Sequence, residues 1–97
     1  MQIPKSFRFK KSRWTIDFGT KKLDTSKYRG ICYLDKKQIF IDPELPRNEQ
    51  EETVIHEVLH AVWPSGVCSD KMEEKIVEKL SRSLYEVLKR NKNLLKR

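Results

Sequence analysis

The stretch Thr53-Val54-Ile55-His56-Glu57-Val58-Leu59-His60-Ala61 decides how this chain is read. It places His56 and His60 four residues apart, with Glu57 directly after the first histidine, inside a segment of helical periodicity. Residues four apart on a helix lie nearly one above the other, so both imidazoles face the same way and can share one metal ion. A carboxylate bordering that face can take a proton from a metal-bound water, which is the division of labour in a zinc hydrolase. On a helical wheel Val54, Ile55, Val58, Ala61 and Val62 gather on one side, and the histidines lie opposite with Thr53 and Trp63. The plainer explanation is two surface histidines spaced by chance. Against it, His56 and His60 are the only histidines in the chain, and both fall inside the motif.

Working back from the motif, Asn48 reads as an N-cap with Glu51 as its capping-box partner, and Glu49, Glu51 and Glu52 sit near the positive end of the helix dipole. The helix is predicted over residues 49–63 and ends at Pro64-Ser65-Gly66. Upstream, residues 7–10 and 13–18 are rich in aromatic and β-branched side chains, and Trp14, Ile16 and Phe18 alternate with Thr15 and Asp17 as on a half-buried strand. Residues 19–27 read as a loop. Residues 30–34 and 38–42 are short apolar runs joined by Asp35-Lys36-Lys37, the pattern of an antiparallel hairpin. Pro43 and Pro46 then break the chain, and a strand bounded by prolines is expected at a sheet edge.

Downstream, a second helix is predicted over residues 70–92. Ile76, Val77, Leu80, Leu84, Val87 and Leu88 form its apolar stripe, which reads as core, and residues 91–97 are polar and basic enough to fray. The 97 residues thus predict a single α+β domain: a small antiparallel or mixed sheet of about three strands, packed on the motif helix and a long C-terminal helix.

Composition narrows the function classes. No run is long and apolar enough for a membrane-spanning helix, and residues 1–11 do not resemble a signal peptide, so a soluble cytoplasmic protein is expected. Cys32 and Cys68 are too few for a disulfide framework and fit a reducing compartment. The net charge of +7 concentrates in Lys5, Arg8, Lys10, Lys11 and Arg13, then in Lys89, Arg90, Lys92, Lys96 and Arg97. Such clusters can contact nucleic acid or acidic protein, though more often they are solvated faces and tails.

A catalytic zinc takes three protein ligands and leaves one position open. With no third histidine, the candidates are Glu73, Glu74, Glu78, Asp70 and Cys68. Glu73 falls within the apolar stripe of the second helix, whereas Glu74 and Glu78 point away from it. A carboxylate aimed inward is costly unless something positive meets it, so Glu73 is the first choice and Glu74 the alternative. A capping box between Asp70 and Glu73 would explain Glu73 without any metal.

Short strands, an HExxH helix, a turn and a Glu-bearing helix together resemble the zincin metallopeptidases with a glutamate third ligand, the gluzincins. The likeness is to compact zincin-like proteins of phages and mobile elements, relatives of the ImmA/IrrE and SprT-like groups. It runs from about Gly30 through Gln38-Ile39-Phe40-Ile41 and the motif to Glu73-Glu74-Lys75-Ile76-Val77-Glu78-Lys79-Leu80 and Leu84. The resemblance implies a zinc-dependent peptidase in which His56 and His60 bind metal, Glu57 is the general base, and a glutamate of the next helix completes the site. The chain departs from the metzincin pattern, with Trp63 in the glycine position and no later histidine. Taken from Glu73, it also lacks the aspartate or asparagine that larger gluzincins carry a turn beyond the ligand, since Val77 stands there.

The mechanism expected is attack of a zinc-activated water on a peptide carbonyl, with Glu57 passing the proton to the leaving amine. The peptide substrate is expected to pair with the free edge of the 38–42 strand. Two other classes stand beside this one: a non-catalytic zinc-binding regulatory domain, and a basic nucleic-acid-associated module.

Overall fold

The computed structural model describes residues 2–18 and 28–94; the loop expected at 19–27 and the end of the expected frayed tail, 95–97, lie outside the described residues. The chain runs β1 (Ser6–Phe9), β2 (Ser12–Asp17), β3 (Gly30–Tyr33), β4 (Gln38–Ile41), α1 (Arg47–Val62) and α2 (Asp70–Arg90). It is an α+β arrangement with one mixed sheet in the order β1-β2-β4-β3. There are four strands where about three were expected, because the two N-terminal runs form separate strands hinged at Lys10, whose φ is 56°. β1 and β2 pair antiparallel, β3 and β4 pair antiparallel, and the two hairpins join through parallel pairing of β2 with β4.

The alternation in β2 has the consequence expected of it. Trp14 and Ile16 are buried and share a face with Ile39 and Ile41 of β4, Ile16 lying directly beside Ile39. This face packs on Val54 and Ala61 of α1. Each fully buried aliphatic or aromatic side chain there contributes about 1.5–3 kcal/mol relative to exposure. Phe7 extends the core by stacking on Trp14, with ring centroids 6.0 Å apart and planes 10° from parallel.

Three expectations need correction. β4 is an interior strand, bonded to β2 on one side and β3 on the other, so it offers no free edge to a peptide. Pro43 and Pro46 follow the strand and leave its ladder intact; the edge beside α1 belongs to β3.

The motif helix begins at Arg47, two residues before the expected start, with Pro46 as N-cap and no side-chain cap. Asp42, fully buried, turns the chain into it: Asp42 Oδ1 accepts from the Glu44 N–H at 2.9 Å. Asn48 therefore lies inside the first turn. Glu51 is not the capping-box partner of Asn48; it is buried, accepting from the Tyr85 hydroxyl at 2.8 Å and lying 3.3 Å from Arg47 Nε.

The apolar stripe of α2 is only partly its buried face, since Val77 belongs to both. Val77, Ser81 and Tyr85 are buried, whereas Leu80, Leu84 and Val87 are exposed. The helix is set in rotation by the polar contacts it makes with α1: Tyr85 on Glu51 at one end, and carboxylates on the motif histidines at the other. Ser69 caps it by accepting from the Met72 N–H, so Glu73 is in no capping box with Asp70. α2 ends at Arg90, with the Asn91 side chain donating to the Val87 carbonyl. Among the described residues, no helix is long and apolar enough to cross a membrane.

Candidate metal centre

α1 and α2 pack side by side in opposite directions, so a step of one turn on α1 meets a step of one turn on α2. His60 therefore faces Glu73 and Glu74, and His56 faces Glu74 and Glu78. The nitrogens sort by partner. His56 Nε2 lies 3.1 Å from Glu74 Oε1, and His60 Nε2 lies 2.9 Å from Glu74 Oε2. The two Nδ1 atoms point to different carboxylates: His60 Nδ1 to Glu73 Oε2 at 2.7 Å, and His56 Nδ1 to Glu78 Oε2 at 3.3 Å.

This arrangement separates the glutamates by geometry. His56, His60 and Glu74 each offer one donor atom, and these atoms lie within 4.8 Å of one another. Tetrahedral zinc with bonds of about 2.0–2.1 Å spaces its donors roughly 3.3 Å apart, close to the Nε2–carboxylate distances here. The residues fit a divalent ion. Glu73, the first choice from the wheel, is instead a hydrogen-bond partner of His60 Nδ1. Contacts of that kind fix the ring orientation and tautomer of a metal-binding histidine. One turn on from Glu74, Glu78 of the same helix meets His56 Nδ1. Asp70 and Cys68 are not part of this group.

Glu57 is buried and points toward the underside of β3. Burial above all, reinforced by Glu74 and opposed by His60, pushes its carboxyl up from 4.5 to about 7. His60 is held above its usual 6.5: burial alone would lower it, but the bond to Glu73 and the charges of Glu74 and Glu57 prevail. Cys32 is pushed up to about 12 by burial, then by Glu57 and Glu73, and it is not part of the His-His-Glu group.

Gly30 sets the distance between sheet and site. A Cβ there would lie 2.9 Å from Thr53 Cγ2, 3.0 Å from the Phe40 carbonyl oxygen and 3.3 Å from Glu57 Cγ. Only glycine lets β3 come this close to α1. β3 and the preceding Tyr28 and Arg29 then form one wall of a cleft of about 670 Å³, whose other wall carries His56, His60 and Glu74.

Sequence reasoning named the histidines, Glu57 and, among five ligand candidates, Glu78, but it did not place Glu78 beside His56 Nδ1 and gave Gly30 no role at the site. Glu78 had a signal: the pair Glu74 and Glu78 repeats on α2 the one-turn spacing of His56 and His60. Gly30 had none, because its role depends on how closely β3 approaches α1. No protein-family model matches the chain, and no curated protein or solved structure matches it.

Proposed function

We propose that the chain is a zinc-dependent peptidase, with His56, His60 and Glu74 holding the ion and Glu57 acting as general base. The observation that carries this reading is the placement of Glu57: a buried carboxyl with its pKa raised to about 7, adjoining a His-His-Glu group. A base poised near neutrality takes and returns a proton most effectively at that pH. A purely structural zinc site has no use for it.

When bound, zinc supplies Lewis acidity toward a carbonyl and an acidified water. The remaining steps fall to the chain. Glu57 accepts the proton of the attacking water and delivers it to the leaving amine. Glu73 and Glu78 hold the imidazoles by their Nδ1 atoms, keeping both Nε2 atoms turned toward Glu74. An extended peptide adds to the edge of β3, which is unpaired among the described residues and borders the same cleft. This moves the substrate strand from β4, where the sequence had placed it, to β3.

The test is hydrolysis of unstructured peptides by wild type and Glu57→Gln, both loaded with zinc. Turnover in wild type and its loss by a factor of at least about a hundred in the variant supports the reading. No turnover in zinc-loaded wild type, or equal turnover in both, contradicts it.

A further inference from the structure

The sheet has a second face, and its composition is unlike the first. Trp14, Ile16, Ile39 and Ile41 point to α1, so their strand neighbours Arg13, Thr15, Asp17, Gln38 and Phe40 point the other way. Register carries Arg8 of β1 and Tyr33 and Ile31 of β3 to that same outer face, beside Arg13, Gln38 and Phe40 respectively. None of the described helices covers it, since α1 packs on the inner face and α2 on α1.

Parallel pairing of β2 with β4 brings the two hairpin turns to the same end of the sheet. Thr15 N–H donates to the Lys37 carbonyl at 3.1 Å, so Lys36 and Lys37 sit next to the strand that begins after Lys10 and Lys11. That end therefore combines Arg8, Lys11, Arg13, Lys36 and Lys37, all exposed, with Asp35 the sole acidic residue of the two turns, while Lys10 turns to the inner-face ring of Phe9, its Nζ 5.4 Å from the centroid. Beyond it on the same face lie Tyr33, 39% exposed, and Phe40, with ring centroids 5.9 Å apart. Lys36 Nζ lies 5.6 Å from the centre of the Tyr33 ring. The carboxylates of the metal centre lie in the cleft between β3 and the helices, and the acidic residue of the outer face itself is Asp17, paired in register with Phe40.

We propose that this outer face binds single-stranded nucleic acid. A line of cations follows a phosphate backbone, and an exposed aromatic ring beside it offers a surface on which an unpaired base stacks. A duplex keeps its bases in the helix and gains only the electrostatic part. Charge clustering alone left the partner open in the sequence, because the aromatics are not interleaved with the basic residues along the chain. The strand register is what brings them together.

The experiment is fluorescence anisotropy with a labelled oligo-dT strand and with a duplex of equal length, across about 50–200 mM salt. Wild type binds the strand more tightly than the duplex, with affinity that falls steeply with salt. Replacing Arg8 and Arg13 together by Gln makes the salt slope shallower by about 1.4, the value for two single-strand phosphate contacts. Tyr33→Ala weakens strand binding about tenfold or more, while Tyr33→Phe retains it. Unchanged melting temperature and zinc content show that the variants remain folded. Absence of binding at low salt overturns the proposal, as does equal or tighter binding of the duplex. So does loss of binding in Lys89→Gln/Arg90→Gln, at the end of α2, with the sheet variants unaffected.

Discussion

Glu73 Oε2 lies 2.7 Å from His60 Nδ1, a shorter contact than either histidine makes with Glu74. It fixes the ring so that Nε2 faces the Glu74 carboxylate, and it raises the basicity of that nitrogen. Glu73→Gln keeps a hydrogen bond in place but removes the charge. The variant is expected to bind zinc with unchanged stoichiometry and affinity weakened by about 10- to 100-fold, measured by competition with a chelating dye. Complete loss of zinc would make Glu73 a ligand after all.

Gly30→Ala tests the approach of β3 to α1. The added methyl meets a backbone oxygen, the Phe40 carbonyl, which cannot move as a side chain could. Destabilisation of about 1–3 kcal/mol is expected from overpacking, seen as a lower melting temperature. Turnover should fall further than stability accounts for, because the same methyl presses on Glu57 Cγ. Full stability and full turnover in this variant would show that the packing is looser than described.

Zinc should oppose the pH dependence of stability that the metal-free chain shows. Burial, with Glu74, holds Glu57 up at about 7 from 4.5, so its proton favours the folded chain; that contribution is whole below 4.5 and is lost as pH rises through 7. His60 acts in the same direction: burial opposes its proton, but Glu73, Glu74 and Glu57 outweigh burial and hold its pKa above 6.5. Its contribution is present below 6.5 and lost above the folded value. The metal-free chain should therefore melt at lower temperature as pH rises from about 5 to about 8. Zinc needs His60 unprotonated, so the stabilisation that zinc adds should grow over the same interval. Thermal melts with chelator and with zinc read both slopes, and a metal-free melting temperature that rises with pH would contradict the assignment.

Tyr85→Phe removes the hydroxyl that donates to Glu51 at 2.8 Å and leaves that buried carboxylate short of one donor. A loss of about 1–3 kcal/mol is expected in chemical denaturation, with zinc content unchanged. If stability is unaltered, the contact is not what sets α2 in rotation against α1.

The motif, both helices and the strand segments could be read from the sequence because each depends on local periodicity. Trp14 and Ile16 alternate because one face of β2 is buried, and His56 and His60 share a face because they are four apart. What could not be read was orientation. The wheel of α2 turned Glu73 inward correctly, its side chain being 23% exposed against 60% for Glu74, but it also took Leu80, Leu84 and Val87 as core, and these three are exposed. The polar contacts of Tyr85, Glu74 and Glu78 outweigh the apolar stripe in setting the face that meets α1. Strand order was hidden for a similar reason, since the prolines after Ile41 report where β4 ends and carry no information about its neighbours.

The most direct measurement of the central claim is zinc content by elemental analysis of wild type, Glu57→Gln and Glu74→Gln, purified without chelator. One zinc per chain in wild type and in Glu57→Gln, with zinc lost from Glu74→Gln, is the predicted result. A wild-type chain free of zinc, or a Glu74→Gln variant that retains it fully, would contradict the metal centre described.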